Sequence, residues 1–373
     1  MRLINWYKII LLTVIVIIIA LSGIFITASG GFVCWLTEPQ IWGEYGAFIG
    51  GILLAFTLLY QIRAFRKQQI ESKFFEMVKY YRENVAEMRI KNPFYHKNAT
   101  ENEIEEQYVI GRRAIKIIFE QYKVGIKIAK QILDNINSEE LKNLFDKTNK
   151  NYKKYKWGNE INPFEWQKRL NISKVAYLIT FWGIPLDEDA ELKTYLTPIL
   201  EDDQIINSLI NEVKLIATVS TYSRKNAGNS IYYKNLKYQN RKIFNGLTKP
   251  SMNNTDEKFF NGNQYLLGHY FRHMFQTVKY IDQQSLWILS KIEKYDYIKT
   301  LRAQMSNYEQ ALFFINSLTQ LGEKWEFSKK NGKELISDYN LIKNLPQHFI
   351  PDLEPQFYYP KVKYEWKENY KPK

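Results

Sequence analysis

Residues 268–282 read GHYFRHMFQTVKYID and residues 301–318 read LRAQMSNYEQALFFINSL. Both have helical periodicity. In the first, Leu267, Tyr270, Phe271, Met274, Val278 and Ile281 recur at steps of three and four and form a broad apolar face. The opposite stripe carries His269, Arg272, His273, Gln276 and Tyr280. In the second, Leu301, Met305, Tyr308, Leu312 and Ile315 form the apolar face, and Arg302, Ser306, Glu309 and Gln310 share the other side. No lysine occurs from Thr300 to Glu323, although Lys and Glu cover the solvated faces elsewhere. The two segments predict a helix pair within 264–322. Its polar stripes are expected to meet as one layer of His269, Arg272, His273, Gln276, Arg302, Ser306 and Glu309.

Outward from this pair, the N-terminus has a different character. Ile9 to Ala28 is twenty residues without charge, the length that crosses ~30 Å of hydrocarbon. Arg2 and Lys8 precede it, as in a secretory signal, but the run is long for one, and a second uncharged run follows at 47–62. The pattern predicts a transmembrane hairpin over 1–62. Arg2 and Lys8 flank the first span and Arg63, Arg66 and Lys67 the second, whereas the connecting loop has Glu38 and Glu44 and no Lys or Arg. Both termini and the main domain are therefore expected on the cytoplasmic side of the inner membrane. Small residues at 46, 47, 50, 51 and 55 suit close packing against the other span or another copy. The only cysteine, Cys34, lies in the outer loop and excludes an intrachain disulfide.

Beyond Arg63 the three-four spacing continues through Ile70, Phe74, Met77, Tyr81, Val85 and Met88. It predicts a stalk helix over 63–92, ended by Asn92-Pro93, whose seam packs on a second copy or on the chain's own domain. A helical cytoplasmic domain over 93–373 follows, with helices expected at 101–136, from Pro163 through Ala176, at 187–195 and from Asp203 to about Ser220. Residues 223–263 are Asn-, Gly- and Ser-punctuated and read as an irregular basic loop. A last helix is expected at 333–343. An extended tail then carries Pro346, Pro351, Pro355 and Pro360, with FYYPKVKYEW as an edge strand. The fold class is mainly α.

The net charge of +13 suits either a lysine-rich solvated surface or contact with an anionic leaflet or nucleic acid. The chain lacks a GxxxxGK[ST] loop and a Gly-x-Ser-x-Gly elbow, which removes the anchors for P-loop and serine-hydrolase chemistry. His269 and His273 have the i, i+4 spacing of a metal pair, but Arg272 opposes a cation and the sequence shows no third ligand, so no metal or cofactor is expected. Imidazoles beside a guanidinium also suit RNA cleavage, His as acid or base and Arg on the phosphate. Two readings stay open for the stripe: catalytic His269, Arg272 and His273, or a buried network that fixes helix register. Ribonucleases of the HEPN type place Arg and His a few residues apart on one helix. Here Arg89 and His96 have Pro93 between them, and Arg272 and His273 are adjacent, so neither matches that pattern.

Five stretches together resemble the AbiC-like family of phage abortive infection proteins: SKFFEMVKYYRENVAEM (72–88), the two segments quoted first, YNLIKNLP (339–346) and YYPKVKYE (358–365). The resemblance implies a role in phage resistance, in which an infected cell stops growing before the virus matures. It carries no catalytic residues over. The expectation is a membrane-anchored antiphage effector or sensor, or alternatively a membrane-tethered ribonuclease. Expected partners are the lipid bilayer, a second copy of the chain, and RNA or a phage component.

Overall fold

The computed structural model describes residues 6–28, 39–92, 108–134, 163–184, 190–219, 260–326 and 333–368. Cys34, His96, the lysine-rich stretch 142–157 and the basic loop through residue 259 lie outside the described residues. The described part is mainly helical. It divides into two units, Met1–Ser72 and Lys73–Lys373.

In the first unit, α1 (Trp6–Ala28) lies beside the first part of α2 (Pro39–Glu87). Phe25 stacks on Phe48 at 5.9 Å and tilts against Tyr45 at 5.4 Å. The Ser22 hydroxyl lies 2.6 Å from the Tyr45 hydroxyl. The glycines of that segment do not need to be small for this contact, because a Cβ placed on Gly46, Gly50 or Gly51 would meet nothing within 4 Å. Among the described residues, one helical stretch, Trp42–Glu87, is long and apolar enough to cross a membrane. A shorter apolar stretch, Ile15–Ala28, accompanies it.

The second unit begins in the last part of α2. That helix ends at Glu87, five residues earlier than expected, and the chain turns into β1 (Arg89–Lys91). β1 pairs antiparallel with β2 (Tyr108–Ile110), in the register Arg89 to Ile110 and Lys91 to Tyr108. The helix expected at 101–136 accordingly begins only at α3 (Arg112–Asp134). Gly111, at φ +67°, makes the turn from strand to helix and donates its N–H to the Met88 carbonyl at 2.8 Å.

α4 (Pro163–Trp182) opens on a proline, which fits the first helical position because its missing N–H has no intrahelical partner there. It packs closely along α3, where Gly125 brings the α3 backbone against that of Ala176. The Tyr122 hydroxyl meets the Ser173 hydroxyl across this interface at 2.7 Å. α5 (Ala190–Leu200) and α6 (Asp203–Val219) flank the pair.

Next come α7 (Gln264–Asp282), α8 (Lys291–Arg302) and α9 (Asn307–Leu318). The single helix expected over 301–318 is in fact the end of α8, a turn, and the whole of α9. The break falls there because Ser306 is an N-cap: its hydroxyl accepts from the Glu309 N–H, and the Glu309 carboxylate accepts from the Ser306 N–H at 2.6 Å. α9 is buried on all sides from Glu309 to Leu318 and forms the centre of the unit. Its interior polar groups are matched: Asn316 Nδ2 donates to the Tyr177 hydroxyl at 2.9 Å, and the hydroxyls of Ser317 and Tyr359 meet at 2.6 Å.

Among the described C-terminal residues the helix expected at 333–343 shrinks to five residues, 335–339, and FYYPKVKYEW forms no edge strand. A 3-10 turn (Glu323–Trp325), α10 (Leu335–Tyr339), α11 (Pro355–Tyr358) and α12 (Glu365–Glu368) take their place. Asn340, in the left-handed region at φ +51°, stops α10 after five residues. The tail is held by buried aromatics, with a backbone bond from the Glu365 N–H to the Lys343 carbonyl at 3.0 Å. Trp166 packs edge-on to Phe357 and Tyr358, and Phe314 packs edge-on to Tyr358 and Tyr359.

Candidate functional site

Three segments far apart in sequence meet at one carboxylate. Glu309 is 1% exposed at the third position of α9, where its charge is favourably placed near the helix N-terminus. The Tyr81 hydroxyl, from the last part of α2, donates to Oε1 at 2.9 Å, and the Tyr270 hydroxyl, from α7, lies 3.2 Å from the same oxygen. The two hydroxyls are 2.7 Å apart. Two phenolic protons therefore serve three close oxygen pairs. The shorter distance makes Tyr81 the donor to Glu309 and leaves Tyr270 to donate mainly to Tyr81. Burial and the Glu309 charge raise both phenols well above their ordinary range; their mutual hydrogen bond adds to the shift at Tyr270 and opposes it at Tyr81, and both stay protonated and act as donors.

Arg112, the first residue of α3, completes the group from outside. Its Nε lies 3.8 Å from Glu309 Oε2, and its Nη2 donates to the Gln304 carbonyl at 2.6 Å. The Arg112 side chain is 61% exposed, so its ion pair is worth at most about 1 kcal/mol. An unpaired buried carboxylate costs several kcal/mol. The phenols and the capping N–H therefore hold Glu309, and Arg112 is secondary.

Arg302 serves a separate purpose. It is buried, and its Nη1 donates to the carbonyls of Tyr339 at 3.2 Å and Asn340 at 3.0 Å, the terminal acceptors of α10. Its guanidinium also sits 6.0 Å from the Tyr295 ring centre. Ser306 is the α9 cap.

The α7 stripe is more open. His269, Arg272 and Gln276 are exposed; His273 is half-buried, edge-on to Tyr80 at 6.5 Å between centroids. Burial lowers the His273 pKa, and its Nδ1 lies inside without a hydrogen-bond partner. The structure thus brings Ser306 and Glu309 together, gives Arg302 its own carbonyl partners, and leaves His269, Arg272 and Gln276 at the surface. Among the described residues no group of three or more His, Cys, Asp or Glu side chains is placed to hold a metal ion.

Tyr81, Tyr270 and Arg112 are the members that sequence reasoning missed. Both tyrosines lie at apolar-face positions, where a phenol counts as a hydrophobe by periodicity although its hydroxyl needs a partner once buried. Arg112 gave no signal, because it lies inside the helix expected at 101–136 and opens α3 only in the structure.

The geometry defines a helical domain whose central helix is joined, through one buried carboxylate, to the helix that continues from the apolar N-terminal region. Residues 262–350, from just before α7 to the segment after α10, match the family model described as putative phage abortive infection protein. The resemblance to the phage abortive infection family therefore holds over this segment, and the stretches 72–88 and 358–365 lie outside it. No curated protein and no solved structure matches the chain.

Proposed function

We propose that this protein is a membrane-anchored antiphage defence protein of the abortive infection type, acting from the cytoplasmic face of the inner membrane as a sensor or effector. The observation that carries this reading is the match of residues 262–350 to the abortive infection family, over the segment that contributes Tyr270, Arg302 and Glu309. The anchoring part is supported by the apolar stretch of α2, by the contacts of Tyr45 and Phe48 with α1, and by the charge pattern. Arg63, Arg66 and Lys67 follow the second apolar run, whereas residues 29–46 hold no Lys or Arg. In this reading α1 and α2 both span, and both termini are cytoplasmic.

The test is phage plaquing on cells that express the full chain, compared with Leu54→Arg/Leu58→Arg. Both leucines are exposed on α2. Each arginine costs about 2.5–3.5 kcal/mol at the centre of a span. The full chain is expected to reduce plaque numbers. The double variant is expected to leave the membrane fraction and lose protection, and protection by a soluble variant would refute the anchoring.

A ribonuclease is the second reading, favoured by one arrangement. Exposed Arg272 and His269 flank a half-buried His273 whose burial favours the neutral imidazole, the form that a general base needs. RNA cleavage by the purified full chain, lost in His273→Ala, would establish it.

A further inference from the structure

Within the second unit, the last part of α2 and α7 run antiparallel. Tyr81 sits against Tyr270 at 5.3 Å, Lys73 Nζ lies 5.2 Å over the Tyr280 ring, and Phe74 packs edge-on to Tyr297 of α8 at 5.1 Å. The 283–290 connector between α7 and α8 therefore lies at the end of the unit where the chain enters at Lys73. Three large apolar side chains within seven residues are exposed at this corner: Leu286 at 60%, Trp287 at 52% and Ile292 at 57%.

The corner is held firmly. Ile288 and Leu289 turn inward and are buried. Lys294 reaches back across the connector, donating to the Asp282 carbonyl at 2.7 Å and to the Gln284 carbonyl. Ser290 and Glu293 close a reciprocal capping box at the start of α8. Leu286, Trp287 and Ile292 are thus presented outward by a fixed backbone; the exposed Lys291 adjoins Ile292 in sequence, and the exposed Lys73 lies over the Tyr280 ring near the end of α7.

We propose that the Leu286–Trp287–Ile292 corner is a second membrane contact, an interfacial wedge that seats the domain on the anionic leaflet from which α2 emerges. This rests on the membrane-anchored reading above. Arg63, where the apolar run ends, is ten residues before Lys73. That is about 15 Å of helix, and at most about 35 Å of extended chain, so the corner is tethered within reach of the headgroup layer. Trp is the residue that favours that layer, and Leu and Ile beside it enter the acyl boundary as in monotopic proteins. Lys73 and Lys291 complement anionic headgroups.

The test uses the full chain carrying Cys34→Ser, so that one introduced thiol takes a fluorophore. Trp287→Cys is compared with Ile110→Cys, an exposed apolar position in β2 beside the other end of the α2 segment. Each is reconstituted in phosphatidylcholine–phosphatidylglycerol vesicles, and membrane retention is checked by alkaline carbonate washing. The label at 287 should lose fluorescence to shallow doxyl-lipid, at the ~5–10 Å depth of an interfacial segment, and resist aqueous iodide. The label at 110 should do the reverse. Release of the chain by carbonate would overturn the anchoring and this docking together. Retention with a label at 287 as iodide-sensitive as that at 110 would overturn the docking alone. Shielding of 287 from both quenchers would mean cover by protein, a second copy included, and would also overturn it.

Discussion

The Tyr81 hydroxyl donates to the Glu309 carboxylate at 2.9 Å, across 228 residues of sequence. Tyr81 is on the helix that continues from the apolar N-terminal region, and Glu309 starts the most deeply buried helix of the domain. The bond is thus a polar link between the last part of α2 and the core of the second unit. Both partners are buried, Tyr81 at 2% exposure and Glu309 at 1%. Low local dielectric strengthens such a bond and raises the cost of breaking it.

Removal of that link should destabilise the fold in a graded way. Tyr81→Phe leaves Tyr270 and the Ser306 N–H on the carboxylate and is expected to cost about 1–3 kcal/mol. Glu309→Ala also removes the α9 capping box and strands two buried phenols, so its loss should be larger, about 3–5 kcal/mol. Arg112→Ala should cost about 1 kcal/mol or less. Denaturant unfolding in detergent, with the Tyr81→Phe/Glu309→Gln double-mutant cycle, would check the order. Equal losses for Arg112→Ala and Tyr81→Phe would contradict it.

Much of the helical fold was legible in the sequence. The apolar face of α7 at Leu267, Tyr270, Phe271, Met274, Val278 and Ile281 is buried as its periodicity requires, and the seam from Phe74 to Met88 is buried with only Met77 less so. The Tyr81 and Phe74 contacts commit that part of the seam to the chain's own domain. Elsewhere a local signal was overlooked or a distant partner decided. Ser306 and Glu309 form a helix-start signature, but they were counted as members of one polar stripe, which hid the break before α9. β1 and β2 are three residues each, too short for an alternation to register, and each needs the other to exist. Arg302 looked like a stripe residue, yet its place is set by carbonyls more than thirty positions later. That partnership depends on the left-handed Asn340, which periodicity does not reveal.

Two glycines in the family-matched segment should respond to alanine with opposite signs. Gly262 has φ +82°, and a Cβ there would lie 2.3 Å from the Trp182 carbonyl oxygen. Gly262→Ala is expected to cost at least about 1–3 kcal/mol from backbone strain alone. Gly268 is inside α7, where a Cβ would meet only Phe181 at an ordinary 3.9 Å. Gly268→Ala should gain about 0.5–1 kcal/mol from helix propensity. Thermal unfolding of the two variants would read the difference directly, and a stabilising Gly262→Ala would show the backbone there to be relaxed.

Stability should carry a pH signature at Glu326. Burial raises its pKa from 4.5 to about 7; a Ser337 hydrogen bond opposes the shift and Glu334 adds to it. Between about pH 4.5 and 7 the folded chain holds a proton that the unfolded chain has released. The contribution is therefore fully present below that window, falls as pH rises through it, and is gone above it. Glu326→Gln keeps an acceptor for the N–H groups of Ile336 and Ser337 but carries no charge. Melting temperatures should show the variant gaining on the wild type as pH rises from about 5 to about 8. A constant difference across that range would mean that Glu326 is not the titrating group.

The exposed stripe of α7 gives the sharpest functional prediction. His269, Arg272 and Gln276 face outward, so truncating them leaves the core intact and should change stability by no more than about 0.5 kcal/mol. A stripe with no part in recognition would tolerate their loss without loss of protection. Arg272→Ala and His269→Ala should therefore fold, reach the membrane fraction at wild-type level, and lose protection in a plaquing assay if the stripe recognises a phage component or RNA. His273→Ala is a different case, since its ring packs against Tyr80 and its removal opens a small void. Its phenotype is interpretable only beside a measured melting temperature. Full protection by both exposed variants would remove the stripe from the function.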